Sequence, residues 1–171
     1  NPGFAMRCDG SVFWFSYDRG KTWKGSYRFP PDLLKYWISY DLKTWEGPYI
    51  KGDLSSRTDY IVNSNDDCLL FLSAEEDRVE ANLQDRAFCA RTTNGGKTMN
   101  FVSWMTHDIS VRSVMPSTVR ISDNQLVSAM RRKKEMERHG RPNVTKNWID
   151  VYISNDNGKT WEFLSEVAET D

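Results

Sequence analysis

The sequence predicts an all-β chain assembled from repeated four-stranded antiparallel units, and three observations support this. The first is an eight-residue pattern, Ser-x-Asp-x-Gly-x-Thr-Trp, occurring as Ser16-Tyr-Asp-Arg-Gly-Lys-Thr-Trp23 and again as Ser154-Asn-Asp-Asn-Gly-Lys-Thr-Trp161. The second is a series of short apolar runs of strand length bounded by Asn, Asp, Gly and Ser. The third is an aromatic content of 13%, with seven Trp, which fits an all-β core or a sugar-binding surface.

Each residue of the pattern has a task in a tight β-hairpin. Asp18 and Asp156 can accept backbone N–H bonds two residues on, as in an Asx turn. Gly20 and Gly158 supply the positive φ of the turn. The hydroxyls of Ser16, Thr22, Ser154 and Thr160 can bridge the two strands, and Trp23 and Trp161 bury a ring under the turn. The pattern is a structural clamp, not a catalytic motif. Two segments read as altered copies: Ser39-Tyr-Asp-Leu-Lys-Thr-Trp45 lacks the Gly, and Thr92-Thr-Asn-Gly-Gly-Lys-Thr-Met99 has Asn for Asp and Met for Trp.

Taken in order, the first unit offers strands at Gly3–Cys8, Val12–Phe15 and Trp23–Phe29. Residues Tyr36 to Tyr49 nearly repeat Phe13 to Tyr27. Asp18 and Asp41 stand 23 residues apart, too close for a repeat of about 40–50 residues. Either a hairpin is duplicated there or a stretch is absent, with Pro30-Pro31 and Leu54-Ser55 as the junctions to suspect. A second unit has strands at Asp59–Val62, Cys68–Leu72, Ala87–Ala90 and Met99–Trp104. The third has Met115–Ile121, Gln125–Met130, the alternating Trp148–Ile153, and Trp161–Val167. The expected layout is a single domain with units at about 1–54, 55–110 and 111–171.

The repeated pattern resembles the Asp box, or BNR repeat, of the sialidase (neuraminidase) superfamily of β-propellers. The resemblance implies a six-bladed propeller fold, with a box joining the third and fourth strands of a blade. This chain would cover about three blades, and the open edges of such a part would invite self-association.

Composition narrows the function classes. A net charge of −1 and a pI of about 6.2 give no reason to expect a nucleic-acid partner. No run reaches the ~20 apolar residues of a membrane span. Cys8, Cys68 and Cys89 are odd in number and lack C-x-x-C spacing, which points to buried free thiols and not to disulfides or zinc. His107 and His139 show no metal-ligand spacing, so neither a metal nor a cofactor is expected. Asn143-Val-Thr145 matches a glycosylation sequon. The opening Asn1-Pro2 lacks a signal-peptide layout and suggests a processed or truncated product. Secretion or periplasmic export is expected by family analogy alone.

The same resemblance implies where a site would lie. In the family, first strands line the axis and an Arg early in a first strand holds a substrate carboxylate; a guanidinium does so bidentately. Arg57 falls on that position, with Asp59 where the motif has Pro, while the next unit keeps Pro116 but has Val114, with Arg112 two residues earlier. The family's acid/base region implies Glu75, Glu76, Glu80 and Asp85 as candidate proton donors. Arg131 and Arg132 end a second strand and could add to the carboxylate clamp. The family nucleophile is a Tyr, unlike the paired carboxylates of most glycosidases, and no residue is assigned to it here. The Arg residues also read as surface ion-pair partners, and Glu75 and Glu76 as solvated turn residues. The basic run Arg131–Arg141 reads as a solvated loop, or as a lid that steers an anionic glycan.

The leading expectation is a sialidase-like glycoside hydrolase acting on a glycan with a carboxylate-bearing sugar. The alternatives are a non-catalytic carbohydrate-binding propeller and a polysaccharide lyase on the same scaffold.

Overall fold

Apolar runs with period-2 alternation become strands because alternation buries one face of a sheet, and the intervening Asn, Asp and Gly allow the chain to reverse. A computed structural model describes residues 3–9, 12–28, 35–38, 46–50, 54–74, 85–108, 110–138 and 141–170. All regular structure in these residues is β, and no helix is long and apolar enough to cross a membrane.

Among the described residues, four antiparallel sheets form in chain order. The first is β1 (Ala5–Asp9), β2 (Val12–Ser16) and β3 (Lys24–Arg28), and the second pairs β4 (Lys35–Ile38) with β5 (Glu46–Ile50). The third comprises β6 (Leu54–Val62), β7 (Cys68–Ala74), β8 (Arg86–Thr92) and β9 (Asn100–Trp104). The fourth comprises β10 (Arg112–Arg120), β11 (Leu126–Arg138), β12 (Arg141–Ser154) and β13 (Glu162–Thr170). Each of the last two sheets is a simple up-and-down meander, the form of a propeller blade. The described residues ahead of β6 thus form two separate sheets, of three and two strands.

The third sheet lies between the first and the fourth, with β6 beside both β1 and β10. This position explains why β7 is buried along nearly its whole length. Leu70, Leu72, Ala74, Phe88 and Ala90 face the first sheet, packing with Phe13 and Met99. Leu69, Phe71, Ala87 and Cys89 face the fourth, packing with Leu126, Met130, Tyr152 and Trp161. Alternate residues of β7 and β8 therefore fill two different seams.

The box hairpins hold by a common network. Ser154 Oγ accepts from Gly158 N at 2.8 Å and donates to Asp156 Oδ1 at 2.9 Å. Thr160 donates its N–H to Asp156 Oδ1 at 2.9 Å and its hydroxyl to Oδ2 at 2.6 Å. Ser16, Asp18, Gly20 and Thr22 repeat this arrangement. The Asp reaches four residues on, not the two of a simple Asx turn, because two successive positive-φ residues (62° at Asn157, 86° at Gly158) lengthen the turn. Thr92, Asn94, Gly96 and Thr98 form the same turn, with the Asn94 amide donating to Thr98 Oγ1 at 2.8 Å.

One stretch departs from expectation. The basic run from Arg131 is not a loop: β11 continues to Arg138 and β12 returns from Arg141, paired through Lys133↔Asn147 to Met136↔Val144. The arms leave the packed sheet, so no apolar alternation marks them. Cys68 and Cys89 are free thiols, and burial pushes both up to about 12. The Cys8 side chain lies outside the described residues.

Candidate functional site

The strands run so that the boxes lie at one end of the sheets. The starts of β8 and β10 and the end of the packed part of β11 lie at the other. A charged cluster occupies that second end, at the seam between the third and fourth sheets.

Asp85 precedes β8 and is buried; its Oδ2 accepts from both Nε and Nη2 of Arg112, while its backbone carbonyl accepts from Ser113 N at 2.8 Å. Ser113 Oγ accepts from Ala87 N at 3.1 Å and sits 3.0 Å from Thr106 Oγ1, and the Thr106 carbonyl accepts from Arg86 Nη2. The start of β10 is thereby fastened to the neighbouring sheet. A bulge between Val114 and Ser117 follows, with Met115 at φ 57° donating its N–H to Ser73 Oγ at 3.2 Å. Bulges of this kind re-aim the start of a strand.

Ser113 pairs in register with Arg132 of β11. Arg132 is 3% exposed, with Nε 3.3 Å from Asp150 Oδ2 and its guanidinium 5.8 Å from the centre of the Tyr152 ring. Its Nε and Nη1 have no hydrogen-bond acceptor among the described residues. An unsatisfied buried donor is costly. Asp150 also accepts from Trp148 Nε1 at 2.9 Å. Burial pushes the Asp150 carboxyl above the ordinary carboxylate range, against the pull of Arg132 and Trp148. Asp108 lies within electrostatic reach; hydrogen bonds from Ser110, and then the charges of Lys134 and Arg132, hold its carboxyl low.

Of the expected residues, the structure thus brings Asp85 and Arg112 into an ion pair, while Arg132 pairs with Asp150. Arg131 faces the other side of the sheet, exposed, and donates to Asn147 at 3.4 Å. Both carboxylate oxygens of Asp59 are engaged, by Tyr60 N at 2.9 Å and by Thr118 N, so it ties the first strands of two sheets together. Arg57 lies on β6, but its side chain falls outside the described residues, as do Glu75, Glu76 and Glu80 in full. Asp150, Trp148 and Asp108 were missed. Asp150 lies between Ile149 and Val151 in the alternating strand Trp148–Ile153, where a charge reads as outward-facing. Among the described residues no group of three His, Cys, Asp or Glu is placed to hold a metal.

A cavity of about 170 Å³ lies elsewhere, at the box end of the seam between the first and third sheets.

No protein-family model matches the chain, and no curated protein does. Two solved structures resemble it in strand arrangement. One is the α-L-arabinofuranosidase Arb93A from Fusarium graminearum in complex with an iminosugar inhibitor, at 18% identity and a TM-score of 0.45. The other is the GH93 α-L-arabinofuranosidase of Fusarium graminearum with arabinobiose, at 19% identity and a TM-score of 0.41. Each alignment covers 92% of this chain but only 39% and 57%, respectively, of the solved chain.

Proposed function

We propose that this chain is part of a glycoside-hydrolase-like β-propeller that takes an anionic sugar, of the exo-sialidase type, at the seam between its third and fourth sheets. The observation that carries this reading is Arg132: a buried guanidinium whose Nε has only the ion-pair contact to Asp150 and whose Nη1 has no acceptor among the described residues. A sugar carboxylate would supply the acceptor that Nη1 lacks, while Nε stays beside Asp150. Secretion or export to the periplasm goes with this reading.

A second reading, a carbohydrate-binding propeller without chemistry, draws on Asp85. Its carboxylate is held by Arg112 in an ion pair.

The test is hydrolysis of a fluorogenic α-sialoside by the protein and by Arg132→Lys, which keeps the charge but loses the guanidinium fork. The expected result is release in the wild type, reduced about a hundredfold in the variant. Binding of the sugar without release would favour the second reading. A product absorbing in the near ultraviolet would point to elimination by a lyase. Cleavage of a neutral arabinofuranoside in place of the sialoside would overturn the anionic-sugar reading.

A further inference from the structure

The altered box at Thr92–Met99 has no part in the charged seam, yet it forms one wall of the 170 Å³ cavity between the first and third sheets. Its origin is visible in a comparison of boxes. At the end of the intact box, Trp161 is 2% exposed and fills the seam between the third and fourth sheets. The corresponding residue of the altered box is Met99, which points into the preceding seam with less volume and no ring. The space left there is the size of a single ring, comparable to an engineered cavity of about 150 Å³ that binds benzene.

The lining has a definite chemistry. Phe4, Phe15 and Tyr17 supply aromatic surface, and the rings of Phe4 and Phe15 lie 5.7 Å apart. Gly96 allows close approach on this side, since a Cβ there would meet the Phe15 ring at 3.3 Å. Charge in the lining comes from Asp66 and Asp67, with no Lys or Arg among the lining residues. Asp67 is neutralised by Arg91, at 2.9 and 2.5 Å. The exposed Asp66 uses its backbone N–H and carbonyl in the turn, to Ser64 Oγ and Gly95 N, and its carboxylate accepts no hydrogen bond among the described residues. Cys68 in the wall is held protonated, so the cavity offers no nucleophile at neutral pH.

Aromatic faces beside an unpaired carboxylate attract a cation and repel an anion. We infer that this cavity binds a small organic cation, an amine carrying one ring-sized apolar group, with the group among Phe4, Phe15 and Met99 and the ammonium toward Asp66. The site is opposite in sign to the guanidinium cluster and at the other end of the sheets, so it stands independently of the proposed function.

Benzylammonium, benzyl alcohol and benzoate are the probes, titrated into the full chain while shifts of the Met99 methyl and the Tyr17 ring are followed by NMR. Benzylammonium is expected to saturate those shifts, benzyl alcohol to bind more weakly, and benzoate not to bind. Asp66→Asn, at an exposed position that leaves the fold intact, should weaken benzylammonium about fivefold and leave benzyl alcohol unchanged. Met99→Trp should abolish binding of both by occupying the space. The inference is overturned if benzylammonium fails to bind the wild type, if benzoate binds as well, or if Asp66→Asn leaves the preference for the cation intact.

Discussion

The third sheet makes two seams from one strand pair, and the two differ at the box end. Toward the fourth sheet, Trp161 packs edge-on to Phe71 with ring centres 6.2 Å apart, and its Nε1 donates to Ser103 Oγ and the Gly158 carbonyl, each at 3.2 Å. Toward the first sheet, Met99 takes the same place and a cavity remains. The hydrogen-bonded turn is the same in both boxes, so the turn and the plug are separable functions of the pattern. Trp23, whose box leads the first sheet, is 40% exposed and has no such seam among the described residues. A box Trp is therefore buried by the sheet that precedes it, not by its own turn.

The largest effect should come from unplugging the closed seam. Trp161→Ala removes a fully buried ring and leaves Ser103 without its indole partner, and it should cost about 3–5 kcal/mol by denaturant unfolding. A loss below about 1 kcal/mol would mean the ring is not the plug. At the other end of that seam, Asp150→Ala leaves Arg132 buried without its counter-charge, at an expected cost of about 3 kcal/mol. Replacing both by Arg132→Met and Asp150→Leu should recover most of that loss; no recovery would argue against an ion pair held for function over stability.

Met99→Trp, which converts the open seam toward the closed one, should stabilise by about 1 kcal/mol and raise Tm. Destabilisation would show that the first sheet cannot accept the ring. Smaller still is the effect of Asp156→Asn, expected within about 0.5 kcal/mol because Asn94 already serves the same turn.

Asp18 gives the pH dependence of the turn itself. Hydrogen bonds from the Thr22 hydroxyl and amide, and from Ser16, lower its carboxyl to about 2 from 3.8. The folded state therefore prefers the ionised form. That contribution is fully present above the ordinary carboxylate range and is lost as pH falls from about 4 through about 2. A carboxyl 13C titration of Asp18 with a midpoint near 4 would show that the bonds to Thr22 and Ser16 do not persist in solution.

Much of the fold was legible because box chemistry and period-2 alternation both act locally. The strands read as Cys68–Leu72 and Ala87–Ala90 lie within β7 and β8, and the boxes of the third and fourth sheets fall where a third strand hands over to a fourth. The arms of β11 and β12 beyond the packed sheet were not legible, since solvent on both faces imposes no pattern on Lys134, Glu135 and Met136. The site was legible only in part. Arg112 and Asp85 stand out as charges at strand ends, but their pairing depends on how two sheets meet. Asp150 needed the register of β11 against β12, which no single strand reveals.

The central functional claim is that the buried guanidinium of Arg132 awaits a sugar carboxylate. Calorimetric binding of N-acetylneuraminic acid, compared with its methyl ester, tests it most directly. The acid is expected to bind, the ester is not, and Arg132→Lys should lose the distinction. Equal binding of acid and ester to the wild type would contradict it.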